Sequence, residues 1–247
     1  VTAIEVDFTA DQGCVRTSTA AAVQPCSYLP PVLTCPAAAS VSCFSQVPAA
    51  NPAAVSETHS CPGNVTITNL GDLNSNVNCP NRLTITRTYQ ATDQCSHTVT
   101  CSQTITVNDQ TAPTLTCPAA QTVSCVSQVP VANTNLVTGL SDNCGGASPT
   151  VTFINDVTSN QTCANRFTLT RTYRASDACG NSATCSQVIT VNDQTGPSIT
   201  CPTPQTVSCA EQVPTANPAL VSGSDNCGGG ITTSFFSEVI SSQTCAN

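Results

Sequence analysis

The chain has 247 residues, no Lys, six Arg and 14 acidic residues, for a formal charge of −8. Such a surface repels nucleic acid and anionic lipid, so neither is an expected partner, and no apolar run approaches the roughly 20 residues that cross a bilayer. Eighteen cysteines, an even number near about 7% of residues, read as a disulfide scaffold from an oxidising, extracellular or cell-surface compartment. Val, Ile and Thr are abundant and suit half-buried strands rather than disorder. The absence of Met, even at position 1, implies a processed amino terminus.

Self-similarity organises the chain. Cys35, Cys43, Cys61, Cys79, Cys95 and Cys101 recur as Cys117, Cys125, Cys144, Cys163, Cys179 and Cys185, at offsets of 82 to 84 residues. Cys201, Cys209, Cys227 and Cys245 open a third series. A fixed period marks a repeat architecture. The expected organisation is an amino-terminal segment, 1–30, a first repeat, 31–113, a second, 114–197, and an incomplete third, 198–247.

In chain order, "AIEVDFTADQGC" comes first. Phe8 stands six residues before Cys14, as Tyr89 does before Cys95 and Tyr173 before Cys179. Residues 1–30 therefore read as a divergent final hairpin of a repeat. Within the second repeat, "TLTCP" and "QTVSC" are the opening strand signals, and "PTVTFIN" follows a Gly-Gly turn. "RFTLTRTYRA" then alternates Phe167, Leu169, Arg171 and Tyr173 with Thr, a period of two that gives a strand two faces. Tyr89, Tyr173 and Phe8 are expected in the core, with Arg87 and Arg171 packing their stems and carrying their guanidinium groups to water or a carboxylate. "DACGNSA" is the turn of a closing hairpin, with Gly180 and Asn181 able to take positive φ, and "TCSQVITVND" its last strand. Several short strands without a helix pattern predict an all-β fold of tandem, disulfide-stapled immunoglobulin-like β-sandwiches. Units this small bury thin cores, which disulfides compensate.

The pattern "TCP…TV…DNCGG…RTYRASDACGNSATCSQVITVND" resembles the hyalin-repeat (HYR) family, extracellular immunoglobulin-like modules associated with cell adhesion. It is most similar to the cysteine-rich tandem versions in giant surface adhesins and extracellular filaments of Bacteroidota. "DNCGG" (142–146 and 225–229) and "ASDACGN" (175–181) carry the resemblance most specifically. The first repeat departs from both, with "ETHSCPGN" and "ATDQCSH" in their places.

Six cysteines permit 15 pairings that sequence alone does not choose between. The resemblance implies Cys117–Cys185, and the shared loop end of an immunoglobulin topology implies Cys144–Cys179. Cys125–Cys163 then closes the other end. The first repeat would pair Cys35–Cys101, Cys61–Cys95 and Cys43–Cys79, and the third would begin with Cys209–Cys245. For residues 1–30 and 198–247, together about one repeat long, three readings stand open. The chain is a window of a longer array; or residues 1–30 of a second subunit complete the third repeat by strand addition, with Cys14 bonded to Cys227 and Cys26 to Cys201 across a head-to-tail filament; or Cys14 and Cys26 bond to one another.

Chemistry beyond structure is sparse. His59 and His97 are the only histidines, neither recurs, and no catalytic motif accompanies them, so an enzyme is not expected and no cofactor is required. Asp109, Asp142 and Asp177 form a candidate calcium set, since the ion takes six to eight oxygens; the alternative is that each caps a turn through its own backbone. Asn64 and Asn160 lie in glycosylation sequons, which carry weight only outside bacteria. The functional expectation is a self-assembling shaft of an extracellular filament or surface adhesin, and the alternative is an ectodomain that binds a surface glycan or receptor.

Overall fold

Strands account for nearly all of the regular structure in the computed structural model, which describes residues 28–241. In the first repeat they are β1 (Val32–Thr34), β2 (Ala39–Val41), β3 (Ser56–Thr58), β4 (Thr66–Cys79), β5 (Arg82–Thr92) and β6 (Thr98–Asn108). The second repeats them as β7 (Thr114–Thr116), β8 (Gln121–Val123), β9 (Thr138–Ser141), β10 (Thr150–Cys163), β11 (Arg166–Ser176) and β12 (Ser182–Asn192). Only β13 (Ser198–Thr200) and β14 (Ser222–Ser224) follow among the described residues. Each full repeat has a four-stranded sheet, ordered β2-β6-β5-β4 or β8-β12-β11-β10, and a two-stranded one, β1-β3 or β7-β9. β2 joins β6 in parallel, and the β4, β5 and β6 ladders are antiparallel. The fold is all-β, in the manner of disulfide-stapled immunoglobulin-like sandwiches.

The period-two pattern of β5 sets its faces. Leu83, Ile85, Arg87, Tyr89 and Ala91 are all buried, as are Ile105 and Val107 across from them on β6. The equivalent cluster of the second repeat is Phe167, Leu169, Ile189 and Val191. Two features escaped the sequence pattern. β3 and β9 are short, polar or Gly-containing pieces, and β10 runs through Cys163, well beyond "PTVTFIN", along a largely exposed polar stretch.

The core also holds a charge. The register of β4 against β5 shifts between Asn69 and Gly71, where Gly71 adopts φ +115°, and this bulge sets Asp72 opposite Arg87. Arg87, 4% exposed, donates from Nε and Nη2 to the two Asp72 oxygens at 2.8 Å each, and from Nη1 to the Pro48 carbonyl at 2.8 Å. Arg171, Asp156 and Pro130 repeat the arrangement at 2.8 to 2.9 Å. The guanidinium groups thus reach a carboxylate, and each of their nitrogens has a hydrogen-bond acceptor, which is what makes a buried Arg tolerable.

By contact, the described chain divides into two units that do not follow the repeat boundaries. Unit 1 is the chain up to Thr114 together with the loops Ser141–Thr150 and Ser176–Ser182 of the second repeat; unit 2 is the remainder.

Asp72→Ala leaves the Arg87 guanidinium buried without its counter-charge, and the expected loss is about 2 to 3 kcal/mol in denaturant unfolding. The hydrogen bond from Arg87 holds the Asp72 carboxyl below its ordinary range, against the opposing effect of burial. A depressed folded-state value gives stability that is present above the unfolded carboxylate pKa and lost as pH falls through the folded one. Stability should therefore decline below about pH 4, and an unfolding series across that range in the D72N variant should show a shallower decline.

Candidate functional site: a loop-docking end

In unit 1 one end of the first repeat is a receptor for two loops, and both loops come from the second repeat. The chain leaves β2 at Cys43, which caps a three-residue 3-10 turn, Phe44–Gln46; the Gln46 Oε1 accepts the N–H groups of Ser42 and Cys43 at 3.1 Å. Beside it lies the β4–β5 turn "CPNR", whose Asn81 Oδ1 accepts the Phe44 N–H at 2.8 Å. This brings Cys43 and Cys79 to the same end without bonding them. Cys43 bonds to Cys144 of the "DNCGG" loop, with Cα atoms 5.0 Å apart, and Cys79 to Cys179 of the "DACGN" hairpin, at 5.2 Å.

Arg82 completes the second contact. Its Nη1 donates to the Cys179 carbonyl at 3.1 Å, and its Nη2 donates to the Asp109 carbonyl at 2.8 Å and to Asn181 Oδ1 at 3.3 Å. Asn181 Nδ2 also reaches the Asp109 carbonyl, at 3.2 Å. The hairpin is thus held by one covalent bond and a small polar network around it.

These bonds correct the expected connectivity. Cys43 is not paired with Cys79, Cys144 is not paired with Cys179, and Cys125 is not paired with Cys163. The two loops do share one end of the sandwich, but their sulfurs turn to the preceding repeat's receptor rather than to each other. Cys125 bonds to Cys227, which excludes the expected Cys14–Cys227 bond. Cys163, Cys201 and Cys209 are free and exposed, so Cys209 is not bonded to Cys245. Cys14, Cys26, Cys245 and Phe8 lie outside the described residues. Within the repeats, Cys35 bonds to Cys101 and Cys117 to Cys185, tying the first strand to the last, and Cys61 bonds to Cys95.

The aspartates explain the loop shapes. Asp177 Oδ1 accepts the N–H groups of Cys179 and Asn181 at 2.8 Å, while its Oδ2 accepts Asn181 Nδ2 at 2.8 Å. Asp142 Oδ2 accepts the Cys144 N–H at 3.0 Å, and Asp109 Oδ1 the Thr111 N–H at 3.1 Å. All three side chains line one cleft of about 190 Å³. At least one oxygen of each accepts N–H groups within its own turn, as an Asx turn requires. Carboxylate oxygens of Asp109 and Asp142 lie within 4.8 Å of each other and of the Cys144 sulfur, and Asp193, Asp225 and Cys227 repeat that group. Both sulfurs are in disulfides and so are not thiolate ligands.

The first repeat's departures keep the geometry. Asp93 Oδ1 accepts the Cys95 and His97 N–H groups at 2.9 and 2.8 Å, and His97 Nδ1 stands 2.8 Å from Asp93 Oδ2, where Asn181 stands in the second repeat. Burial pushes the Asp93 carboxyl up, but the hydrogen bonds from His97 and Cys95 outweigh it and leave it below its ordinary value. Ser96 takes φ +68° where Gly180 takes +84°. His59 is bonded to Glu57 at 2.7 Å and to the Gly63 carbonyl at 2.9 Å, and the Glu57 contact raises its pKa. Both histidines are thereby occupied in loop structure. Asn64 and Asn160 are exposed.

An all-β sandwich stapled from first strand to last, with loops built on Asx turns, defines the class as an extracellular-type disulfide-bonded domain. Residues 113–191 match the family model described as an HYR-like domain with 4 cysteines. The second repeat is thus similar to an HYR-like domain, and this stretch of it carries six cysteines. No curated protein matches the chain. No helix among the described residues is long and apolar enough to cross a membrane.

Replacing Cys79 and Cys179 together by Ser is expected to cost about 2 to 4 kcal/mol, less than a lone bond closing so long a loop because other disulfides already restrict the unfolded chain. Limited proteolysis should then cut first within residues 176–182. Calcium at millimolar levels should shift the melting temperature of the wild-type protein by no more than about 1 °C, as read by calorimetry with and without a chelator.

Proposed function

We propose that the chain is a mechanical segment, the shaft of an extracellular filament or surface adhesin. One observation carries this reading: the "DNCGG" and "DACGN" loops of one repeat are covalently seated on the repeat before it. These bonds cross-link the first repeat to the second at two places beside the backbone, so load passes through disulfides as well as through the linker "NDQTAP". An adhesion-type HYR-like domain fits such a role, and catalysis is not part of it. The loop aspartates, the obvious chemical groups, are engaged in turns.

Head-to-tail assembly extends the proposal. β13 and β14 pair with each other, and beside them an open, mainly apolar groove of about 520 Å³ is lined by Ile199, Val221, Ile231 and Phe235. Phe236 is 98% exposed at its edge. An apolar sheet face with free strand edges calls for further strands. In this reading residues 1–30 of a second subunit supply them, and Cys26 bonds to the free thiol of Cys201 as Cys185 bonds to Cys117.

Intact mass of the purified chain under non-reducing conditions is expected to show a covalent ladder that collapses to the 25.2 kDa monomer on reduction. The ladder should disappear in the C201S variant. A non-reduced sample that is entirely monomeric at high concentration would sink the self-assembly.

A further inference from the structure

Unit 2 contains the same receptor with one of its two places filled. Cys125 opens a 3-10 turn as Cys43 does, with Gln128 Oε1 accepting the N–H groups of Ser124 and Cys125 at 3.0 and 3.2 Å. The β10–β11 turn "CANR" lies beside it, Asn165 Oδ1 accepting the Val126 N–H at 2.9 Å. Cys125 holds Cys227 of a "DNCGG" loop. Arg166 Nη2 donates to the Asp193 carbonyl at 2.9 Å, as Arg82 does to that of Asp109. Every element that grips the hairpin in unit 1 is in place in unit 2, including the sulfur, Cys163, which is free and exposed. Its counterpart Cys79 is 9% exposed under the hairpin.

From this we infer that Cys163, with Arg166 and the Asp193 carbonyl, is a preformed docking site for the closing hairpin of a further HYR-like repeat, of the pattern Asp-x-Cys-Gly-Asn. A third receptor is present in part. Cys209 opens a 3-10 turn with the same backbone, φ −134° and ψ 150° against φ −116° and ψ 148° at Cys125, and Gln212 Oε1 accepts the Ser208 N–H at 3.2 Å. Cys209 is the docking point for a "DNCGG" loop. The two sites differ in what surrounds the sulfur. Arg166 answers a hairpin that presents a carbonyl at its Cys and an amide at its Asn, whereas in neither seated "DNCGG" loop does the Arg of the receptor donate to the loop. The proposal stands on the comparison of the repeats and does not depend on filament assembly.

The bond forms by oxidation of two thiols. With a small-molecule disulfide as oxidant, the Cys163 thiolate attacks one of its sulfurs and expels the other as a thiolate. The hairpin thiolate then attacks Cys163 in the mixed disulfide and expels the second. The two protein thiols lose two protons and two electrons, and the oxidant leaves as two thiols.

The test uses the whole chain with its disulfides intact and two peptides whose single cysteine is activated as a pyridyl disulfide. One carries the hairpin of residues 173–184, the other the loop of residues 222–231, and each has a scrambled control. Attack by a protein thiolate forms the new S–S bond and releases thiopyridone, which is followed by absorbance, and mapping by mass spectrometry identifies the sulfur labelled. The hairpin peptide should label Cys163 about tenfold faster than its scrambled form, the gain of roughly two hydrogen bonds to Arg166, and the loop peptide should favour Cys209 in the same way. Cys201 should not discriminate. Arg166→Gln should remove the hairpin preference at Cys163 and leave the loop preference at Cys209 intact. Equal rates for native and scrambled hairpin at Cys163, or a hairpin that prefers Cys209, would overturn the assignment. Failure here leaves the Cys201-dependent ladder untouched, so the two ideas fall separately.

Discussion

The pair of disulfides Cys43–Cys144 and Cys79–Cys179 is the constraint on which the rest of unit 1 turns. Each full repeat has a thin apolar core, centred on two residues from each of two neighbouring strands with a few partly buried neighbours. A core of that size gives a marginal domain. Bonding a following repeat's loops to its open end covers the turn around Asn81 and Asp109, makes the polar groups there one network, and limits the states open to the unfolded chain.

The same economy appears inside the sandwich. Where a larger domain would place another apolar side chain, each repeat places an Arg held by an Asp and a proline carbonyl. A planar guanidinium with three donors in use links two strands to a loop in a way that a Leu does not, at the expense of desolvation. Tyr89 and Tyr173 act similarly, burying their rings while their hydroxyl oxygens accept the N–H groups of Asn51 and Asn133. The thin cores are therefore as much polar framework as hydrophobic packing.

The divergent first repeat shows how much variation the loops absorb. "ATDQCSH" and "ASDACGN" share only three residues, yet His97 repeats the role of Asn181 and Ser96 accepts the left-handed conformation of Gly180. The invariant part is the Asp, whose carboxylate collects the N–H groups of the turn. In the first repeat the two loop cysteines bond to each other, and in the second they bond to a receptor. The hairpin shape is thus local, and the partner of its sulfur is not.

What the sequence determined by itself follows from interactions of short range. The period of two in "RFTLTRTYRA" gave the buried face of β11, the cysteine spacing gave the repeat, and Asp-x-Cys-Gly-Asn gave the hairpin turn. Each depends on residues within a few positions of one another. Only the tertiary structure decided the partners of Cys43, Cys79, Cys125, Cys144 and Cys179, because equivalent sulfurs recur in every repeat and the spacing of one repeat is silent about the next. It also decided that Asp109, Asp142 and Asp177, brought to one cleft as their positions implied, each give one oxygen to backbone N–H groups of their turns. Whether a loop closes on its own repeat or reaches the one before depends on where the chain folds in space, and that is set by contacts about a hundred residues apart.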